Sequence, residues 1–234
     1  EELDARVLGS ISTMLTSEYE ANKSSRKDWE EAYANGLELL GFNYEERTQP
    51  FRGATGVTHP LLAEAATQFQ AQAFNELLPP MGPVRTTIMG SPTREKEEQA
   101  KRVREFMNYY MMNVMEEYTP EFDQMLFYLP LAGSTFKKVY YEEGMDRAVS
   151  KFVPAEHLVV PYEANDLETC PNITQVIRMP LNDLRKKQVS GFYLDVDVLP
   201  SQSSDDSVSK EIDYIDGVQS SNIDYDCTLL ECHV

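Results

Sequence analysis

The sequence predicts an α+β fold in which long N-terminal helices precede a β-rich segment, the whole belonging to a larger chain. Three observations predict it. Apolar residues recur at helical spacing in successive windows up to about residue 132. After Gly133 the pattern changes to runs of β-branched and aromatic residues broken by turn signals. The chain opens on Glu1-Glu2-Leu3-Asp4 without an initiator methionine, and its last run, Asp224 to Val234, reads as a strand with no turn signal after it. The resulting division is a helical portion over 1–135, with a short strand near 84–89, and a β-rich portion over 136–234.

Residues 3 to about 40 read as two helices. Leu8, Ile11, Met14 and Leu15 mark the first, Ser24-Ser25 breaks it, and Trp29, Tyr33, Leu37 and Leu40 mark the second. Residues 43–59 are polar and aperiodic, and Arg47 and Arg52 flank a Gly-rich turn. His59-Pro60 opens a third helix, with Pro60 suited to the first helical position and Leu62, Ala65, Ala66, Phe69, Ala73 and Leu77 as its buried stripe. Val84 to Met89 is a strand candidate. Thr93 then caps a long charged helix in which Ala100, Val103, Met107, Met111 and Val114 keep helical spacing through Glu117. Thr119-Pro120 starts another helix, which Pro130 is expected to kink or end.

In the second portion, Phe136 to Glu142 and Arg147 to Val153 are antiparallel strand candidates about the turn Gly144-Met145-Asp146. Leu158 to Val160 and Asn172 to Met179 are further strands. A short helix near 181–188 follows, with Asn182 or Asp183 as its cap. The low-complexity run Ser201 to Ser209 predicts a mobile loop near 200–210.

Composition excludes several classes. No stretch of about 18 apolar residues occurs, so no membrane helix is predicted. Cys170, Cys227 and Cys232 are an odd set without a Cys-x-x-Cys spacing, which argues against a disulfide scaffold. Cys227, Cys232 and His233 would supply only part of a zinc site, so half-buried strand residues are the simpler reading. The formal charge of -18 repels nucleic acid at long range and disfavours a sequence-reading DNA-binding module, yet it suits a surface past which DNA slides. Ten acids face one Lys210 between Tyr193 and Val234.

Catalytic signatures are missing from the sequence. His59, His157 and His233 do not sit beside a nucleophile in a recognisable motif, and Gly53-Ala54-Thr55-Gly56 lacks the lysine and strand of a phosphate loop. Asp195-Val196-Asp197 and Asp224-Tyr225-Asp226 would each put two carboxylates on one strand face. Such pairs could bind a divalent cation or serve as acid and base, and a solvated strand face is the simpler alternative. No catalytic residue, cofactor or metal ligand is therefore assigned, and the chain reads as a non-enzyme. Trp29 is expected to anchor packing between the first two helices, or to serve as an interface hot spot.

One ordered series of segments is more specific. Arg52-Gly53-Ala54-Thr55-Gly56-Val57-Thr58-His59-Pro60 leads into a helix, and a long charged helix follows. Leu129-Pro130-Leu131-Ala132-Gly133-Ser134-Thr135-Phe136 passes from helix to strand. Phe152-Val153-Pro154-Ala155-Glu156-His157-Leu158-Val159-Val160-Pro161-Tyr162 comes next, and Arg178-Met179-Pro180-Leu181-Asn182-Asp183-Leu184 closes the series. In this order, over roughly residues 26–190, the sequence resembles the N-terminal wing of tailed-bacteriophage portal proteins, particularly those of short-tailed phages. The resemblance implies a structural subunit of a closed, typically dodecameric ring at one capsid vertex, assembled in the host cytoplasm. Such a ring forms the channel for DNA entry and exit. Its implied partners are other copies of itself, the terminase packaging motor, tail or adaptor proteins, the capsid protein, and double-stranded DNA passing non-specifically. Arg47 and Arg52 would then be candidates to meet the acidic face of a neighbour. The alternatives are another head–tail adaptor or capsid component, and a cytosolic metal-dependent hydrolase using the Asp pairs.

Overall fold

The computed structural model describes residues 4–40, 51–54, 59–198, 207–215 and 226–234. The chain forms two compact units, one from Glu1–Thr58 with Ala155–Val234, the other from His59–Pro154. The first unit is thus discontinuous in sequence, and the change of periodicity near residue 136 falls inside the second.

In the first unit, α1 (Ala5–Ser25) starts at Asp4, whose carboxylate accepts from the Arg6 N–H. A one-residue break at Arg26 separates it from α2 (Lys27–Glu38), which buries Tyr33, Ala34 and Leu37. Leu158–Val159 (β3), Ile173–Pro180 (β4) and Asp226–His233 (β5) form an antiparallel sheet in the order β3-β4-β5. Leu158 lies opposite Gln175, and Val176 lies opposite Leu230. Between β4 and β5 come α6 (Leu181–Val189) and α7 (Ser207–Ile215), the latter packed on α2. Leu37, Val159, Val208 and Cys227 are almost wholly buried. Each aliphatic side chain so buried stabilises by about 1.5–3 kcal/mol.

In the second unit, α3 (Leu61–Leu77) packs on α5 (Tyr118–Ala132), and α5 packs on the hairpin of β1 (Phe136–Glu142) and β2 (Arg147–Val153). Gly133, at φ 79°, ends α5 in the left-handed conformation. Leu126, Tyr128, Ala132, Val149, Phe152 and Val153 form the core here, with Tyr128 stacked on Phe152 at 6.0 Å.

The α+β class is observed, together with both strands of the hairpin at the predicted limits. Six local expectations are corrected. Val84–Met89 is not a strand, because the Asn108 side chain occupies the Val84 backbone: its Oδ1 accepts from the Val84 N–H at 2.8 Å and its Nδ2 donates to the Val84 carbonyl at 3.2 Å. The long charged helix does not run to Glu117. It is α-helical over Arg94–Tyr109 (α4), opens into a π-helical turn at Tyr110–Val114, and breaks where Met115 enters the core. Pro130 does not end α5, which continues to Ala132.

The buried stripe of α3 is rotated from its expected face. Ala66 is buried, whereas Phe69 and Leu77 are exposed, because Gln70 turns inward to bond Asp123 through its Oδ1 (2.9 Å) and carbonyl (3.2 Å). Lastly, the expected mobile loop near 200–210 gives way at its end to α7, which begins at Ser207 because Val208 and Ile212 repeat at helical spacing and Val208 is fully buried. The rest of that run, 199–206, lies outside the described residues. The cap of α6 also differs. Pro180 takes that position, and neither Asn182 nor Asp183 makes a capping bond.

Candidate functional site

Two charged networks and one paired-carboxylate segment are the chemically distinctive places in the described residues. The first lies at the α1–α2 break. Arg26 is 8% exposed. Its Nε donates to Glu30 Oε1 at 2.8 Å, its Nη1 to the carbonyls of Leu158 (2.9 Å) and Ala155 (3.2 Å), and its Nη2 to the carbonyl of Glu156 (2.7 Å). The planar guanidinium fork thereby fixes the 3₁₀ turn Ala155–His157 and the start of β3 against α2. Arg26 also lies 5.4 Å from the centroid of the Trp29 ring, which stacks on Tyr33 at 5.4 Å. Trp29 is half-buried and works as a packing residue around Arg26. Nearby, the Asn172 amide donates to Glu18 (2.9 Å) and accepts from Asn22 (3.1 Å), tying α1 to the start of β4.

The second network lies beneath the hairpin. Glu117 forms an ion pair with Arg147 at 2.7 Å and accepts from the Ser150 N–H at 3.3 Å. The hydrogen bond from Arg147, outweighing burial, holds the Glu117 carboxyl below the ordinary glutamate range. One turn on, Glu121 Oε2 accepts from the Phe152 N–H at 2.7 Å. Lys137 extends its ammonium over the rings of Tyr118 (4.1 Å) and Phe122 (5.0 Å). Its Nζ is occluded from solvent and has no hydrogen-bond partner among the described residues. Burial therefore lowers the Lys137 pKa, against the opposing pull of Glu121 and Glu117.

Asp195 and Asp197 are not on a strand. They lie 3.7 Å and 3.1 Å from the Arg185 guanidinium and are almost fully exposed. Gln188 of α6 donates to the carbonyls of Leu194 (3.1 Å) and Val196 (2.8 Å), so the segment is strapped along that helix. Asp224 and the Asp226 side chain lie outside the described residues. Cys227 is buried, Cys232 is half-buried, and His233 pairs with Glu231 at 3.0 Å. Among the described residues no group of three His, Cys, Asp or Glu is placed to hold a metal ion.

Of the residues singled out for assembly, Arg52 is exposed in the turn that Gly53 closes at φ 94°, and it has no ion-pair partner among the described residues. Arg47 lies outside the described residues. Arg26, Glu117 and Lys137 were not singled out from the sequence. The spacing of Arg26 and Glu30 is a legible helical pair, but nothing local reveals the carbonyls that complete the Arg26 site.

No protein-family model matches the chain, and no curated protein matches it. No helix of the described residues is long and apolar enough to cross a membrane.

Proposed function

We propose that this chain is the N-terminal wing portion of a tailed-bacteriophage portal subunit, a structural protein that assembles into a ring for DNA passage. The order of segments from Arg52 to Leu184 carries the reading. The loop into α3, the charged helix, the helix-to-strand passage at Gly133, the Phe152–Tyr162 stretch and the segment from Asn172 to Leu184 are the series on which the resemblance rests. The surfaces are compatible with a subunit of an assembly. α1 exposes Val7, Leu8, Ile11 and Met14, and α4 exposes Val103, Phe106 and Tyr109. A ring closes when two different surfaces of each copy meet by a fixed rotation. The excess of negative charge would let DNA pass without being held. The hydrolase alternative is weakened because Asp195 and Asp197 both face Arg185 and, among the described residues, form no group of three with another acid, histidine or cysteine.

Mass photometry and negative-stain microscopy of the full-length protein test the proposal. Closed rings of uniform size support it. A monomer at every concentration overturns it.

A further inference from the structure

The two outer edges of the β1–β2 hairpin are treated differently. On β2, the N–H groups of Ala148, Ser150 and Phe152 alternate away from β1. Each is taken up by a side chain: Tyr110 Oη at 2.8 Å, Glu117 Oε1 at 3.3 Å and Glu121 Oε2 at 2.7 Å. These three acceptors stand where the carbonyls of a third strand would be, and they close that edge. By the same alternation, the backbone groups of β1 that point away from β2 are those of Lys137, Val139 and Tyr141. Among the described residues no strand or side chain takes them up. Val139 is 67% exposed and Tyr141 58%. An open edge with apolar side chains beside it is a template for another strand.

The sequence of this edge indicates which strand. Residues 137–143 read Lys-Lys-Val-Tyr-Tyr-Glu-Glu. Turned antiparallel to itself about Tyr140, the strand places Lys138 opposite Glu142, Lys137 opposite Glu143, Val139 opposite Tyr141, and Tyr140 opposite its own copy. Lys138 then meets Glu142 twice across the two-fold, and the exposed Val139 and Tyr141 meet each other, while the Lys137 ammonium stays over Tyr118 and Phe122 and takes no part. The register also satisfies the backbone, since Val139 and Tyr141 both carry outward-facing groups and form the hydrogen-bonded pair. Shifting it by two residues toward the N-terminus puts Lys138 opposite Tyr140 and loses the Lys–Glu pairs.

We infer that β1 is a self-recognition edge, joining two copies of the chain antiparallel about Tyr140 into a continuous four-stranded sheet, β2-β1-β1-β2. The contact is isologous and closes at two copies, so it is independent of the ring proposed above. It also assigns a function to the asymmetry of the hairpin: Tyr110, Glu117 and Glu121 block one edge and leave the other to the partner copy.

Charge exchange tests the inference on the full chain. Sedimentation velocity is measured for the wild type, Lys138→Glu, Glu142→Lys and a mixture of the two variants, with circular dichroism to verify folding. Each single variant opposes like charges twice across the two-fold and is expected to weaken self-association roughly ten-fold or more. The mixture restores opposite charges at both sites and is expected to re-form pairs. Tyr140→Cys supplies a second readout. The non-hydrogen-bonded pairs of an antiparallel ladder lie about 4.5 Å apart at Cα, within disulfide reach. Mild oxidation should therefore link two copies of this variant and not of the wild type. Single variants that associate like the wild type, a mixture that stays dissociated, or a Tyr140→Cys protein that does not cross-link would each overturn the inference. Rings that persist in the charge variants while pairing is lost leave the ring proposal standing and support a separate pairing edge.

Discussion

The Arg26 guanidinium and the Glu30 carboxylate meet at 2.8 Å with both side chains about nine-tenths buried. The pair is the fixed point from which Arg26 reaches three carbonyls some 130 residues further along the chain. Removing Arg26 leaves the buried Glu30 carboxylate without its partner and deprives those carbonyls of their donor. Arg26→Met is therefore expected to destabilise the protein by about 3–5 kcal/mol in urea unfolding. Arg26→Lys keeps the charge but cannot fork, and should recover only part of the loss. A lysine variant as stable as the wild type would show that charge alone matters here.

Glu117 gives the second unit a dependence on acid. Its folded-state pKa is depressed, chiefly by the bond from Arg147. The stabilisation is therefore fully present above the ordinary glutamate range of about pH 4.3 and is lost as pH falls through the lower folded value. Glu117→Gln should unfold at lower urea concentration than the wild type at pH 7, and the difference should narrow on acidification. A gap that stays constant down to pH 2 would contradict the assignment.

Lys137 behaves in the opposite sense. Its ammonium is buried without a hydrogen bond among the described residues, a cost of desolvation that the two aromatic rings are expected to offset only in part. Lys137→Met should raise the melting temperature at pH 7. Since the folded-state pKa is lowered by burial, the wild type sheds this penalty as pH rises from the folded value towards about 10.4. The advantage of the methionine variant should therefore shrink on the alkaline side. A lower melting temperature for Lys137→Met at neutral pH would show that the ring contacts dominate.

Gly82 and Asn108 form a local lock. Gly82 has φ +88°, and a Cβ there would clash with the Asn108 side chain. Gly82→Ala should destabilise by about 1–3 kcal/mol from backbone strain alone, with the clash adding to it. In a double-mutant cycle, Asn108→Ala should remove the amide part of the clash and leave both the strain and the contact with its own Cβ, giving a partial coupling between the sites. Additive effects would mean that Asn108 moves aside freely.

Much of the local architecture was legible in the residues. Thr93 caps α4 as its position before a charged helical run required. The hairpin was legible because its strands, Phe-Lys-Lys-Val-Tyr-Tyr-Glu and Arg-Ala-Val-Ser-Lys-Phe-Val, flank a short turn that Asp146 completes at φ 51°. The candidate sites were far less legible. Trp29 and its helical neighbour Tyr33 could be picked out from their spacing, and Arg52 as a residue type, but the distant carbonyls that hold Arg26 beside the Trp29 ring could not. Glu117 and Glu121 look like ordinary helix-surface acids until β2 is laid beside them.

The sequence by itself determined where elements begin and turn, because capping, glycine placement and side-chain alternation act between residues a few positions apart. The tertiary structure alone decided whether Val84–Met89 would be a strand, which face α3 would bury, and where Asp195 and Asp197 would point. In each case a distant side chain, Asn108 or Asp123, or one on the preceding helix, Arg185, took a polar group that local pattern assigned elsewhere. A polar group leaving water must find a partner, and which partner comes within hydrogen-bond reach is fixed only when the chain has packed.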